Sequence, residues 1–412
     1  MTAAAHGSLL ITNIGELMTQ DPGRGPEGVL HQAAVVLEGE RISWLGPAAA
    51  APAADAACDA GGRALLPGWV DSHTHLVFAG DRTAEFEARM AGQSYRAGGI
   101  AVTVAATRAA GDDELGGLLQ ARAAEARAGG TTYLETKTGY GLDVAQEARS
   151  ARIAAAVADQ VTFLGAHLVP EGIGADEYTD LVCGDMLAAV RPYVQWADVF
   201  CERGAFTEEQ SRRVLAACRE AGLGLRVHGN QLGEGPGVAL AVEFGAASVD
   251  HVNYLSDADV ELLAGSWASW DAGSGTGERG TVATCLPACD LSTRQPLAPA
   301  RRLLDAGVEI ALASNCNPGT SYTSSMNYCV ATAVLQMGLS VHEAVRAATY
   351  GGALALGVHT GVDAGGARAV GSIAVGHRAD LHLLNAPSAT HLAYRPGMPL
   401  TAAVWRAGRQ VA

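Results

Sequence analysis

Two histidines, His73 and His75, stand one residue apart in the run Pro67-Gly68-Trp69-Val70-Asp71-Ser72-His73-Thr74-His75. Side chains alternate across a strand, so both imidazoles fall on one face while Thr74 points away. A single divalent metal can then be met by both. The pair alone is weak ground, because two hydrogen-bonded structural histidines share that spacing. Two more histidines end apolar runs, His228 in Leu225-Arg226-Val227-His228 and His251 in Ser248-Val249-Asp250-His251. Each reads either as a group facing the first pair or as a structural histidine.

Positioning four imidazoles around one point requires elements that converge. Strand-like runs occur near Leu65–Val70, Thr131–Thr136, Val161–Ala166, Ala197–Cys201, Leu223–Val227, Ser248–Val252, Thr281–Leu286 and Val308–Ala313. Ala- and Arg-rich segments such as Gln210–Ala221 separate many of them and read as helices. Eight such units predict an α/β fold, a (β/α)₈ barrel, whose C-terminal mouth collects the polar residues that follow each strand. Short β-like runs also open and close the chain: Ser8–Leu17, Ala33–Glu38 and Arg41–Leu45 at the start, Gly371–Val375, Ala379–Leu384 and Leu400–Arg406 at the end. Pro47–Ala57 reads as a connector. Together the ends are expected to form a small β-sandwich, residues 1–66 with 367–412, around a barrel spanning 67–366. Trp267–Gly280 reads as an exposed inserted loop.

Composition limits the function classes. The chain has 412 residues, 49% of them hydrophobic and 17% charged, which is a folded rather than a disordered profile. Its formal net charge is −15, with no basic run to form a nucleic-acid surface. No stretch reads as a membrane span and Met1–Leu10 lacks signal-peptide character, so a cytoplasmic protein is expected. Eight cysteines without a CxxC pair read as ordinary reduced thiols.

The runs PGWVDSHTHLVFAGDR, ETKTGYGL, FLGAHLVP, ADVFCERGAF, RVHGNQ, SVDH and ALASNCNPGTSY carry a further signal. Over nearly its whole length the chain resembles the imidazolonepropionases, a histidine-degradation family of the amidohydrolase superfamily. The resemblance implies that His73, His75 and His228 ligate one Zn²⁺ or Fe³⁺ per subunit. It implies substrate contacts from Arg82, Tyr140 and His167, with Gln231 nearby and Asn317, Gly319 and Thr320 in a substrate loop. It makes His251 a catalytic histidine, and it implies a homodimer acting on 4-imidazolone-5-propionate.

One residue departs from the family pattern: Asn315 occupies the position where Asp commonly joins the metal site. An Asn carbonyl can still coordinate a metal but brings no charge and is no comparable proton acceptor. Proton transfer then falls to His251, with His167 positioning the ring or stabilising charge on oxygen. Arg82 offers forked donors suited to a carboxylate. Among 28 Lys and Arg residues, Lys137 is the only lysine. A bridged two-metal centre needs a modified lysine from the fourth strand, and Lys137 follows the second. A one-metal site is therefore expected, with Lys137 organising the Tyr140 loop, facing substrate or lying in solvent. Glu202 is not expected to bind metal, and Cys316 is expected to pack beside Asn315. Two other readings remain open on sequence alone: another cyclic amidohydrolase or nucleobase deaminase, and a non-enzymatic metal- or small-ligand-binding protein.

Overall fold

The computed structural model describes residues 7–25, 28–92, 99–361 and 369–412. Eight parallel strands follow one another in sequence order around a barrel. We number them β1 (Trp69–Asp71), β2 (Thr131–Lys137), β3 (Gln160–Ala166), β4 (Trp196–Cys201), β5 (Gly224–Gly229), β6 (Ser248–His251), β7 (Val282–Cys285) and β8 (Ile310–Leu312). Helices between them turn their apolar faces onto the strands, as Glu208–Glu220 does with Val214, Leu215 and Cys218 buried. Its start is set by a reciprocal Thr207–Gln210 capping box, which satisfies two backbone donors left free by the first turn.

The barrel closes just beyond the ends of β8 and β1. Asn315 N donates to His73 O at 3.0 Å and His75 N donates to Cys316 O at 3.1 Å. Asp71 strengthens this seam, its carboxylate accepting from Ser314 N at 3.0 Å and Ser314 Oγ at 2.6 Å. Closure therefore delivers Asn315 to the side of the His73–His75 pair.

A second, eight-stranded mixed sheet joins the two ends of the chain. Ser8–Met18, Val29–Glu38, Arg41–Pro47, Ala56–Asp59 and Ala64–Pro67 come from the start, and Leu381–Leu384, Thr401–Arg406 and Arg409–Gln410 from the end. Ile11, Ile14, Leu17, Val35, Leu37, Leu381 and Trp405 build its own core. The expected boundary at 367 falls outside the described residues.

Three local expectations are corrected. Leu65–Val70 is two strands, one in each sheet, split at Gly68. A Cβ on Gly68 would lie 2.2 Å from the Thr132 side chain, so only glycine lets the chain pass from one sheet to the other there. Gly371–Val375 forms no strand. The 267–280 segment folds into a small hairpin pairing Trp270–Asp271 with Thr276–Gly277, and Trp267 is buried with Nε1 donating to Thr281 O. Its indole supplies the apolar anchor that a polar, Gly-rich reading overlooked. No helix among the described residues is long and apolar enough to cross a membrane.

Candidate metal centre

The strand ends bring four imidazoles together. His73 Nε2 lies 3.2 Å from His75 Nε2. Ring nitrogens of His73, His228 and His251 all fall within 4.8 Å of one another. Zinc–nitrogen bonds of about 2.0–2.1 Å in a tetrahedral set place neighbouring ligand atoms about 3.3 Å apart, so the His73–His75 spacing is that of two ligands on one ion. Four rings are one more than a three-histidine set uses, which leaves an imidazole for proton transfer.

Carboxylates fix how the rings point. Asp250 Oδ2 sits 2.7 Å from His73 Nδ1, and Asp198 Oδ2 sits 3.0 Å from His228 Nδ1. The hydrogen bond on His73 Nδ1 leaves its Nε2 available to a metal, while Asp198 also accepts from His228 N at 3.1 Å. Behind them Lys137 Nζ lies 3.0 Å from Asp198, 3.1 Å from Glu135 and 3.8 Å from Asp250, while Arg226 Nη2 reaches Asp250 at 3.0 Å. Lys137 is wholly buried, so it neither lies in solvent nor lines the substrate cavity. Its ammonium points below the centre, where three carboxylates need a cation. Glu135, Asp198 and Asp250 outnumber Lys137 and Arg226 by one, and that surplus favours a cation above them.

Electrostatics also suit a metal. Burial drives the imidazoles of His73, His75 and His251 well below their ordinary range, with the neighbouring cationic groups adding to the effect, so their lone pairs are free. Burial likewise lowers His167 to about 4. Burial opposes ionisation of Asp198 and Asp250, yet His228 and Lys137 around the first, and Arg226 and His73 around the second, hold both below the usual carboxylate range. Asn315 Nδ2 donates to Thr320 Oγ1 at 2.9 Å, which aims Oδ1 elsewhere, and that buried oxygen has no hydrogen-bond partner among the described residues. An unpartnered carbonyl beside the imidazoles of His73, His75 and His228 fits the fourth protein position of a metal site.

Above the centre is a cavity lined by His75, Arg82, Tyr140, His167, His228, Gln231, His251, Asn315, Asn317 and Thr320 together with Ile100, Leu168 and Phe200. His73 is buried and does not reach it. Gly319 also lies off the lining, and a Cβ there would sit 2.1 Å from Arg82 Nη1. His167 Nδ1 is anchored at 2.9 Å to Gly139 O, and its ring stacks on His75 with centroids 5.8 Å apart. Glu202 accepts from Gln231 N, which orients that residue. Cys316 is buried in the barrel core beside Asn315.

Sequence reasoning missed several working residues. Glu85 binds Arg82 through both oxygens, accepting from Nε at 2.8 Å and Nη2 at 2.8 Å, so that Nη1 is not committed to this pair. Arg89, on the same helix Thr83–Met90, donates to Gly319 O at 3.0 Å and Thr320 O at 3.2 Å and so ties down the substrate loop. Asp198, Asp250, Glu135 and Arg226 also went unread. The available signal was a charged residue inside each apolar strand run, an arrangement too costly to persist unpaired. Backbone strain marks the same place: His251 has φ 87°, Val252 50° and Asn315 61°.

Comparison with known proteins agrees with this geometry. A sequence model of the amidohydrolase family matches residues 64–411. The imidazolonepropionase of Arthrobacter sp. (strain FB24) is 79% identical over 401 residues, covering 97% of this chain and 99% of that protein. That of Paenarthrobacter aurescens (strain TC1) is 75% identical over 411 residues, covering 100% of both. Among solved structures, a triazine hydrolase variant superposes with TM-score 0.72 at 18% identity, over 98% of this chain and 94% of that one. A zinc-bound adenosine deaminase from Xanthomonas campestris gives TM-score 0.68 at 20% identity, over 98% and 92%. At those identities the two structures speak for the fold alone. A barrel mouth carrying a histidine metal centre, a match along nearly the entire chain and relatives at 75–79% identity lead to one assignment: the chain belongs to the amidohydrolase family, in its imidazolonepropionase branch.

Proposed function

We propose that this chain is a metal-dependent hydrolase that opens the cyclic amide of 4-imidazolone-5-propionate, giving N-formimidoyl-L-glutamate in histidine breakdown. The observation that carries the reading is the placement of Arg82, His75, His228 and His251 around one cavity, an anchor for a carboxylate at one side and a metal centre at the other. His73, His75, His228 and the Asn315 carbonyl would hold one Zn²⁺ or Fe³⁺. Such an ion, when bound, acidifies water and polarises a ring carbonyl.

The chain's own groups do the rest. Arg82 takes the propionate carboxylate on the donors that Glu85 leaves uncommitted, while Glu85 holds Nε and Nη2. Asn317 and Thr320 border that end, with Gly319 packed behind them against Arg82, and Tyr140 and Gln231 offer hydrogen-bonding groups to the ring. His251 is neutral and buried, and accepts the proton from the attacking water before passing it to the leaving ring nitrogen. His167, kept neutral by burial and held by its Nδ1–H on Gly139 O, turns Nε2 toward the ring as an acceptor and positions it. Asn315 takes no proton, which concentrates this work on His251.

The deciding experiment is turnover of 4-imidazolone-5-propionate by metal-loaded protein with the product identified by mass. N-formimidoyl-L-glutamate is expected; ammonia release from a nucleobase with no imidazolone turnover would overturn the proposal. We further propose that the chain acts as a homodimer in the cytoplasm. Light scattering of the loaded protein tests the first, and a monomer mass would refute it; fractionation of cells producing it tests the second, and recovery outside the cytoplasm would refute that.

A further inference from the structure

Next to the centre lie two metal-ligating side chains that the proposed chemistry does not use. The helix Pro287–Thr293, which follows β7, carries Cys289 and Asp290. The Cys289 thiol, an Asp290 carboxylate oxygen and a ring nitrogen of His251 all lie within 4.8 Å of one another. The three residues are 0%, 1% and 2% exposed. His251 Nδ1 and Asp290 Oδ1 are buried and have no hydrogen-bond partner among the described residues. Two unpartnered polar atoms in so dry a place are costly, and a cation between them would satisfy both.

We propose that His251, Cys289 and Asp290 form a second cation site, for a borderline-soft divalent ion such as zinc, and that filling it inhibits the enzyme by removing His251 from proton transfer. The inhibitory part rests on the function proposed above; the binding part does not. Nitrogen, sulfur and carboxylate oxygen are a donor set that zinc accepts, at about 2.0–2.1, 2.3 and 2.0–2.2 Å respectively. Ligand atoms on such an ion stand about 3.3–3.8 Å apart, a spacing within the 4.8 Å that bounds the three atoms here. Binding replaces the Cys289 S–H bond by a metal–sulfur bond and passes the proton to solvent; thiolate and carboxylate then balance the divalent charge.

Access is through the substrate cavity. His251, Gln231 and Asn315 all line it, and Gln231 Nε2 lies 3.8 Å from the Cys289 thiol just behind. Because His251 belongs to both clusters, an ion on Cys289 and Asp290 competes with catalysis while the first centre keeps His73, His75 and His228. Excess metal would then slow an enzyme that one equivalent activates.

The test uses full-length protein loaded with one equivalent of Co²⁺ and titrated with more. A near-ultraviolet thiolate-to-cobalt charge-transfer band is expected only with the second equivalent. It should vanish in Cys289→Ser, while Asp290→Asn weakens the second binding event by about tenfold or more. Excess Zn²⁺ should inhibit the parent protein at a concentration about tenfold below that needed for Cys289→Ser, whose one-equivalent activity is retained. No second-equivalent band, or a band that survives in Cys289→Ser, overturns the site. Equal zinc inhibition of both proteins overturns the regulatory role. Should Cys289→Ser fail to fold, Asp290→Asn carries the same test, and an unaltered second titration step there refutes the site. If the imidazolone is not turned over by any form, the reaction assignment fails and the cobalt band still decides the site.

Discussion

Replacing Lys137 by Met tests the account of the buried charges most directly. Met keeps the length and apolar stem of lysine and removes only the ammonium. Asp198 at 3.0 Å and Glu135 at 3.1 Å lose their lysine partner in one step, while Asp250 keeps Arg226 at 3.0 Å. All of these side chains are 0% exposed, so water cannot take over. Removing one partner of a buried ion pair costs about 3–5 kcal/mol, a large part of the about 5–15 kcal/mol by which domains are stable. The metal-free variant should therefore unfold at clearly lower urea with an unchanged slope. A bound divalent ion restores positive charge to the same cluster, so metal should stabilise the variant more than the parent. Urea unfolding of both proteins, with and without Zn²⁺, measures this. A loss under about 1 kcal/mol without metal, or equal stabilisation of the two by zinc, would refute the reasoning.

Glu85→Gln should break the two-oxygen grip on Arg82 and raise KM for the carboxylated substrate by about tenfold or more with kcat little changed, as expected for loss of about 1.5–3 kcal/mol of charge-assisted hydrogen bonding. A neutral substrate analogue should show no such change; if it does, Glu85 is merely structural. Gly319→Ala puts a Cβ 2.1 Å from Arg82 Nη1 and 2.5 Å from Cζ, so the guanidinium must move and KM should rise while the melting temperature holds; an unchanged KM would separate Gly319 from the anchor. Asn315→Asp and Asn315→Ala should differ from the parent in metal affinity by chelator competition, and unchanged affinity in both would remove Asn315 from the metal. Asp198 and Asp250 sit below their unfolded values, so the stability they contribute is complete above about pH 4 and is lost as the pH falls through the folded values. Circular dichroism should show Lys137→Met unfolding at a higher pH than the parent during acid titration, and coincident acid transitions would contradict that.

The barrel was legible because its strands are apolar runs at regular intervals, and the mouth because histidines and Asn315 end those runs. His73 and His75 could be paired from alternation alone. The seam could not: Asp71 with Ser314, and Asn315 with His73, join residues more than two hundred positions apart, and no local pattern announces them. The same holds for Arg89, whose task is defined by carbonyls on a distant loop. Gly68 was read as part of one strand because periodicity carries no information about the Thr132 side chain pressed against it. Lys137 was misplaced for a different reason. A lysine near the end of a strand ordinarily reaches for water, and only the assembled barrel shows three carboxylates below the histidines waiting for it.

With its single lysine sealed inside the barrel, the protein presents no lysine side chain to its surroundings. Every other basic side chain apart from histidine is a guanidinium, which keeps its charge at any pH a cell reaches. Lysine acylation and ubiquitin transfer therefore find no side-chain target in the native fold, and amine-directed cross-linkers and dyes cannot engage one. Unfolding exposes Lys137, so a single amine-reactive label on that side chain counts molecules that have opened.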